Sequence, residues 1–198
     1  VISFRFLLIL ALLTTLHSVE SPENSPSRLD FAAGSEAELL LEDQGAEFWS
    51  ESQALSWAHG QGFTLSRDSD MYGVQNRRAA VFHSPGVRFP LYAVRNRHGT
   101  LSRTGHFLIL DFAFPKALDR EQTLSSDFLN YSNILRYEIF ADGIHLGTVE
   151  SGYGVSQRDP LIFAIPYIRD PEGCIQVEIR LSNHPAQFAI LYDAVLAE

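Results

Sequence analysis

Ile134-Leu-Arg-Tyr-Glu-Ile-Phe-Ala-Asp-Gly-Ile-His-Leu-Gly-Thr-Val149 decides the fold. Leu135, Tyr137 and Ile139 alternate with Arg136 and Glu138, and this period of two belongs to a strand with one face buried. Asp142-Gly143 then separates this run from a second one. Both residues of a two-residue hairpin turn of the favoured type must hold positive φ, and an Asp-Gly pair does so at low cost, so the stretch predicts a hairpin.

Similar runs occur on both sides. Ile175, Val177, Ile179 and Leu181 alternate with Gln176, Glu178 and Arg180, predicting a half-buried strand over 174–181. The runs 106–114 and 161–168 are apolar at nearly every position and suit central strands, with Pro166 forcing a bend or an edge position on the second. The segment 187–198 closes the domain as a further strand. Earlier strands are expected at Leu29–Ala33, Glu38–Glu42, Gly62–Arg67, Ala79–His83 and Val87–Tyr92. One short helix is expected over Gly45–Ala58, where Phe48, Leu55, Trp49 and Trp57 share a face. Some ten short strands without alternating helices make this an all-β chain. The expected fold is an antiparallel β-sandwich of the jelly-roll type, with a barrel as the alternative.

The domain has material for one core: the chain has 198 residues, 45% of them apolar. Its start, Val1-Ile-Ser-Phe-Arg5 followed by eleven uncharged residues to Leu16, has the layout of a secretory signal, and the run is too short for a membrane-spanning helix. The expected organisation is a signal peptide at 1–18, a Ser/Pro/Glu-rich flexible leader at 19–27 and a single β-sandwich domain at 28–198. The protein is expected to be secreted or periplasmic, with no stable membrane insertion after removal of the signal.

The net charge is -9, and losing Arg5 with the signal makes it -10, which argues against nucleic acid as a partner because no basic stripe exists to displace counterions. Cys174 is the single cysteine, so no intrachain disulfide forms. The sequence contains no Gly-x-Ser-x-Gly elbow, no His-Glu-x-x-His helix and no cysteine pair at zinc spacing, and no catalytic residue is assigned. Asp111, a carboxylate inside an apolar strand, is expected to make a buried structural hydrogen bond.

The stretch Tyr137–Thr148, with Ile175–Leu181 and the ending Leu191-Tyr-Asp-Ala-Val-Leu196, resembles the galactose-binding-like, carbohydrate-binding-module jelly rolls. The likeness covers about the final third of the chain. It implies a non-catalytic module for carbohydrate or a related surface polymer. Some such domains hold a structural calcium ion between an early Glu-x-Glu and a late Asp, and Glu36, Glu38 and Asp193 stand in the corresponding places. Six to eight oxygens are needed, and carboxylates from both chain ends would cross-link the first and last strands.

A sugar site needs an aromatic platform beside planar polar groups. Trp49, Trp57, Tyr72, Tyr92 and Tyr153 can supply the first, and Arg77, Arg78, Asn96 and Arg158 the second. The expected ligand contacts are Tyr153, Arg158, Trp57 and Tyr72, with Tyr153 presented between Gly152 and Gly154. Two other readings stay open. One is a structural or protein-interaction domain of the cell surface or periplasm, in which exposed strand edges accept a partner. The other is a polysaccharide-acting enzyme.

Overall fold

A computed structural model describes residues 27–61, 63, 65–66, 77–96, 98–115, 135–150, 160–181 and 187–198. In chain order the elements are β1 (Ser27–Arg28), α1 (Glu36–Glu42), β2 (Glu47–Ser50), α2 (Glu51–Gly60), β3 (Arg78–His83), β4 (Gly86–Tyr92), β5 (His106–Ala113), β6 (Arg136–Ala141), β7 (Ile144–Glu150), β8 (Leu161–Ile165), β9 (Cys174–Leu181) and β10 (Phe188–Ala197).

The expected hairpin is β6–β7. Asp142 and Gly143 hold φ of 48° and 74°, both in the left-handed region. Asp142 also ties the turn to the neighbouring strand: its N–H donates to the Gln176 carbonyl at 2.9 Å, and its Oδ1 accepts from the Gln176 N–H at 2.8 Å. Outside this hairpin the chain runs as one long antiparallel ribbon folded double. β5 pairs with β8, β4 with β9 and β3 with β10, each pair enclosing the one before it. Curling that ribbon gives two sheets, with orders β2-β3-β10-β5-β8 and β4-β9-β6-β7, and β1 lies against β10. This nesting is jelly-roll topology.

Alternation decides which side chains lie between the sheets. Leu108, Leu110 and Phe112 of β5, with Ala189, Leu191, Ala194 and Leu196 of β10, meet Val87, Phe89 and Leu91 of β4. Tyr137 and Ile139 of β6 and Ile175, Val177 and Ile179 of β9 complete the layer. The rings of Phe112, Phe114 and Tyr137 cluster with centroids 5.0–6.0 Å apart. Tyr137 is fully buried and donates its hydroxyl proton to the Phe188 carbonyl at 3.0 Å, and burial pushes its pKa far above the ordinary tyrosine value.

β10 changes phase once. Leu191 opposes Phe112 and Asp193 opposes Asp111, so Tyr192 is an inserted bulge residue. Tyr192 and Asp193 both face outward as a result. The outer face of the larger sheet is covered in part by α2, whose Ala54, Leu55 and Ala58 pack on Ala79, Val81, Phe188, Ile190 and Tyr192. Ser50 caps α2 in a capping box with Gln53.

Some local expectations are corrected. The segment Glu38–Glu42, expected as a strand, belongs to α1. Ser35 caps that helix by accepting from the Glu38 N–H, and Ser35-x-x-Glu38 carries the Ser-x-x-Glu spacing of a helix start. Leu29–Ala33, also expected as a strand, follows β1 as irregular chain. Gly62–Arg67 lies partly outside the described residues; Leu65 forms an isolated bridge with Pro115. The run 161–168, which suits a central strand by composition, is instead the end strand of its sheet among the described residues, and β8 stops at Ile165, just before Pro166.

The glycines set up a test of the turn. A Cβ on Gly143 meets nothing within 4 Å, whereas one on Gly86 lies 2.0 Å from the Ile179 carbonyl oxygen. Gly143→Ala is therefore expected to cost about 1–2 kcal/mol, from left-handed backbone alone. Gly86→Ala is expected to cost several times more, since β4 must move off β9. Urea denaturation of both variants checks the ranking, and equal losses contradict it.

Candidate functional site

The segment Arg28–Asp30 leaves β1 and separates two hollows on the surface. One, of about 330 Å³, is lined by residues including Arg28, Asp30, Ser35, Glu36, Leu40 and Tyr92. The other, of about 560 Å³, has Arg28, Asp30, Arg77, Arg78, Tyr192 and Asp193 among its lining residues.

The smaller hollow combines an open aromatic ring with carboxylates. Tyr92 is the last residue of β4. Val87, Phe89 and Leu91 point into the core, so alternation sends Tyr92 outward, where it is 55% exposed. Its backbone is fixed by its N–H donating to Ser27 Oγ at 2.9 Å. The phenol is held above its ordinary pKa first by the Cys174 thiol, its cross-strand neighbour, with smaller contributions from the Glu36 and Asp170 carboxylates. The thiol is itself pushed up, chiefly by burial. Glu36 is exposed in the first turn of α1. Asp30 uses Oδ1 to accept from the Ala32 N–H at 2.9 Å and is among the residues lining both hollows. Arg28 is committed: Nε donates to Asp193 Oδ1 at 2.8 Å and Nη2 donates to Oδ2 in a bidentate pair. A ring face beside carboxylate acceptors suits a ligand carrying C–H faces and hydroxyl donors.

The larger hollow is a network of internal ion pairs. Arg77 donates to Asp111 Oδ2 at 2.8 Å and approaches Glu51 Oε2 at 3.4 Å, while its guanidinium lies 4.5 Å from the Tyr192 ring centroid. Arg78 pairs with Glu38 and lies 5.5 Å from the Phe48 ring centroid. The bulge brings Asp193 directly opposite Asp111, an arrangement of like charges that destabilises a sheet unless compensated. Arg77 and Arg28 supply that compensation. Asp111 thus makes the buried structural contact expected of it.

The three carboxylates expected to share a calcium ion go to three different places. Glu38 is buried against Arg78 and also accepts from the Gly34 N–H; Asp193 is taken by Arg28; Glu36 faces the Tyr92 hollow. Among the described residues no group of three or more His, Cys, Asp or Glu stands where it could hold a metal ion. The tie between first and last strands exists, but Arg28 of β1 makes it with Asp193 of β10.

Of the expected ligand contacts, Tyr153, Arg158 and Tyr72 lie outside the described residues. Trp57 packs edge-on against Trp49, Phe188 and His83, with centroids 4.8–6.0 Å apart, so it serves to seat α2 on the sheet. Arg77 and Arg78 are engaged in ion pairs. Asn96 accepts from His98 N–H and Thr100 N–H inside its own loop. Tyr92 is one of the five aromatics that the sequence offers as a platform candidate. The phase of Val87, Phe89 and Leu91 already marks it as outward, but Ser27 and Glu36 join it only through the fold.

No protein-family model matches the sequence, and no curated protein does. Structural comparison finds similarity to the CBM36-1 domain of a multidomain xylanase from the hindgut metagenome of Trinervitermes trinervoides. Identity is 16% and the TM-score 0.30, over 59% of this chain and 74% of that one.

Proposed function

We propose that the domain is an exported, non-catalytic module that binds carbohydrate or a related surface polymer in the hollow beside Tyr92. One observation carries this reading: an aromatic ring more than half exposed stands at the end of a rigid strand, beside the Asp30 and Glu36 carboxylates. A sugar ring laid on the Tyr92 face presents its C–H groups to the π-system and its hydroxyls to those oxygens. With Arg28 engaged by Asp193, the unpaired charge of the lining is negative, which favours neutral glycans over uronic acids. Tyr153 and Arg158, from the stretch following β7, remain further proposed contacts.

A glycan array followed by calorimetry tests the site. Wild type is expected to retain neutral glycans, Tyr92→Ala to bind at least ~10-fold more weakly, and Glu36→Gln to lose less, since about 1.4 kcal/mol corresponds to tenfold. Tyr92→Ala binding with undiminished affinity refutes this placement. No retained glycan for wild type refutes carbohydrate binding altogether.

Export belongs to the same reading, with residues 1–18 acting as the signal and the product secreted or periplasmic. Expression of the whole chain and N-terminal sequencing of the exported protein is expected to give a terminus just after Ser18. A product retaining Phe6–Leu16 and staying in the cytoplasm contradicts it.

A further inference from the structure

Tyr92 shares its end of the sandwich with a second open ring. The chain leaves β4 at Tyr92 and enters β5 at His106; it leaves β8 at Ile165 and enters β9 at Cys174. Antiparallel pairing sets Tyr92 opposite Cys174 and His106 opposite Ile165. The loops 93–105 and 166–173 therefore meet, and they are tied to one another. The Ala93 N–H donates to the Gly173 carbonyl and the Ile168 N–H to the Arg103 carbonyl, both at 2.9 Å. Arg95 Nη2 reaches the Pro171 carbonyl and Glu172 Oε2, each at 3.3 Å. Leu101 packs where Gly173 has no side chain, since a Cβ there would lie 2.9 Å from Leu101 Cδ1. From below, buried His106 donates from Nε2 to the Ser102 carbonyl at 2.8 Å.

Tyr167 stands on this frame. Its neighbour Ile168 is fully buried, while Tyr167 itself is 43% exposed. Arg103 Nη1 donates to the Tyr167 hydroxyl at 3.0 Å, so the ring is held from its polar end. A tyrosine whose hydroxyl is already bonded offers an open apolar face at little further cost in ordering. Arg103 is exposed too, and a guanidinium has donors beyond the one spent on Tyr167. The two rings thus have complementary surroundings: carboxylate acceptors, Asp30 and Glu36, near Tyr92, and guanidinium donors beside Tyr167. A sugar hydroxyl both donates and accepts, so one neutral chain suits both places.

We propose that Tyr167 and Arg103 form a second contact for the ligand of the Tyr92 hollow, which is accordingly a polysaccharide chain held at two points along its length. This inference rests on the carbohydrate reading of that hollow. Cys174, paired with Tyr92, is seven residues from Tyr167. Seven residues and one strand spacing put the two tyrosine backbones at most ~30 Å apart, and the sheets that they extend are stacked ~10 Å apart. That range is within reach of a short oligosaccharide. A chain lying in the hollow presents its later units to Tyr167 at high local concentration, so the second contact adds affinity only to chains long enough to reach it.

Calorimetric titration with β-linked gluco-, xylo- and manno-oligosaccharides, from disaccharide to hexasaccharide, is the test. For the series that wild type binds, affinity is expected to climb at least ~10-fold with length. Tyr167→Ala is expected to bind the disaccharide as wild type does and to lose the climb. The retained disaccharide affinity also shows that this variant is folded. Tyr167→Phe keeps the ring and is expected to keep most of the climb, whereas Tyr92→Ala weakens binding at every length. Wild-type affinity that does not change with length overturns the second contact and leaves the Tyr92 hollow standing as a site for short glycans. A Tyr167→Ala variant that keeps the full climb, or that weakens every length equally, overturns it as well. Failure of wild type to bind any of the three series overturns the carbohydrate reading together with this one.

Discussion

The nested strand pairs are counted from one turn. Asp142 and Gly143 adopt left-handed backbone, which lets β6 double back as β7, and three further pairs nest outside that point: β5 with β8, β4 with β9 and β3 with β10, while β2 joins β3 separately. A one-residue slip at the turn would exchange the faces of β6, sending Arg136 and Glu138 inward and Tyr137 and Ile139 into water. The two hydrogen bonds between Asp142 and Gln176 fix the turn to β9 as well, so it sets the register of two strand pairs together. The rest of the sandwich inherits that register.

The outer surface of the larger sheet answers a second constraint. The bulge at Tyr192 leaves Asp111 and Asp193 side by side on neighbouring strands, and arginines from two other elements neutralise them. Arg28 arrives from β1 and Arg77 from the residue before β3. These pairs recruit the first strand to the last one and fill the surface between α1 and α2 with internal contacts. Arg28 is exposed, so its pair with Asp193 contributes at most about 1 kcal/mol and positions the first strand more than it stabilises the core. By holding Arg28 it also keeps Asp30 and Glu36 as the charges facing Tyr92.

The strands were legible wherever one face is wet, because polar and apolar residues then alternate: β4, β6 and β9 could be read almost to the residue. Of the helix expected over Gly45–Ala58, only the part from Glu51 onward, with Leu55 and Trp57, is helical: Phe48 and Trp49 belong to β2, and the capping box at Ser50 and Gln53 marks the true start of α2. Glu36–Glu42 was not legible as a helix, because Leu39-Leu-Leu41 is a short apolar run that period alone cannot divide between strand and helix. The capping pair Ser35 and Glu38 carried the information instead. The site was harder still. A carboxylate reads identically in sequence whether a metal, an arginine or solvent faces it, and Glu38 and Asp193 proved to face arginines that lie 40 and 165 residues away. Tyr92 could be read as outward from its phase, but its hollow is assembled by β1, α1 and β4, which no local pattern connects.

The central claim is that the space bounded by Tyr92, Asp30 and Glu36 is where this domain meets its ligand. Titrating isotope-labelled protein with a soluble neutral oligosaccharide, and following backbone amide shifts by NMR, tests it most directly. The account predicts saturable shifts concentrated at Ser27–Asp30, the first turn of α1 and the Tyr92 end of β4, with the Arg77–Asp111 network unmoved. Shifts concentrated on another surface, or no shifts at any concentration, contradict it.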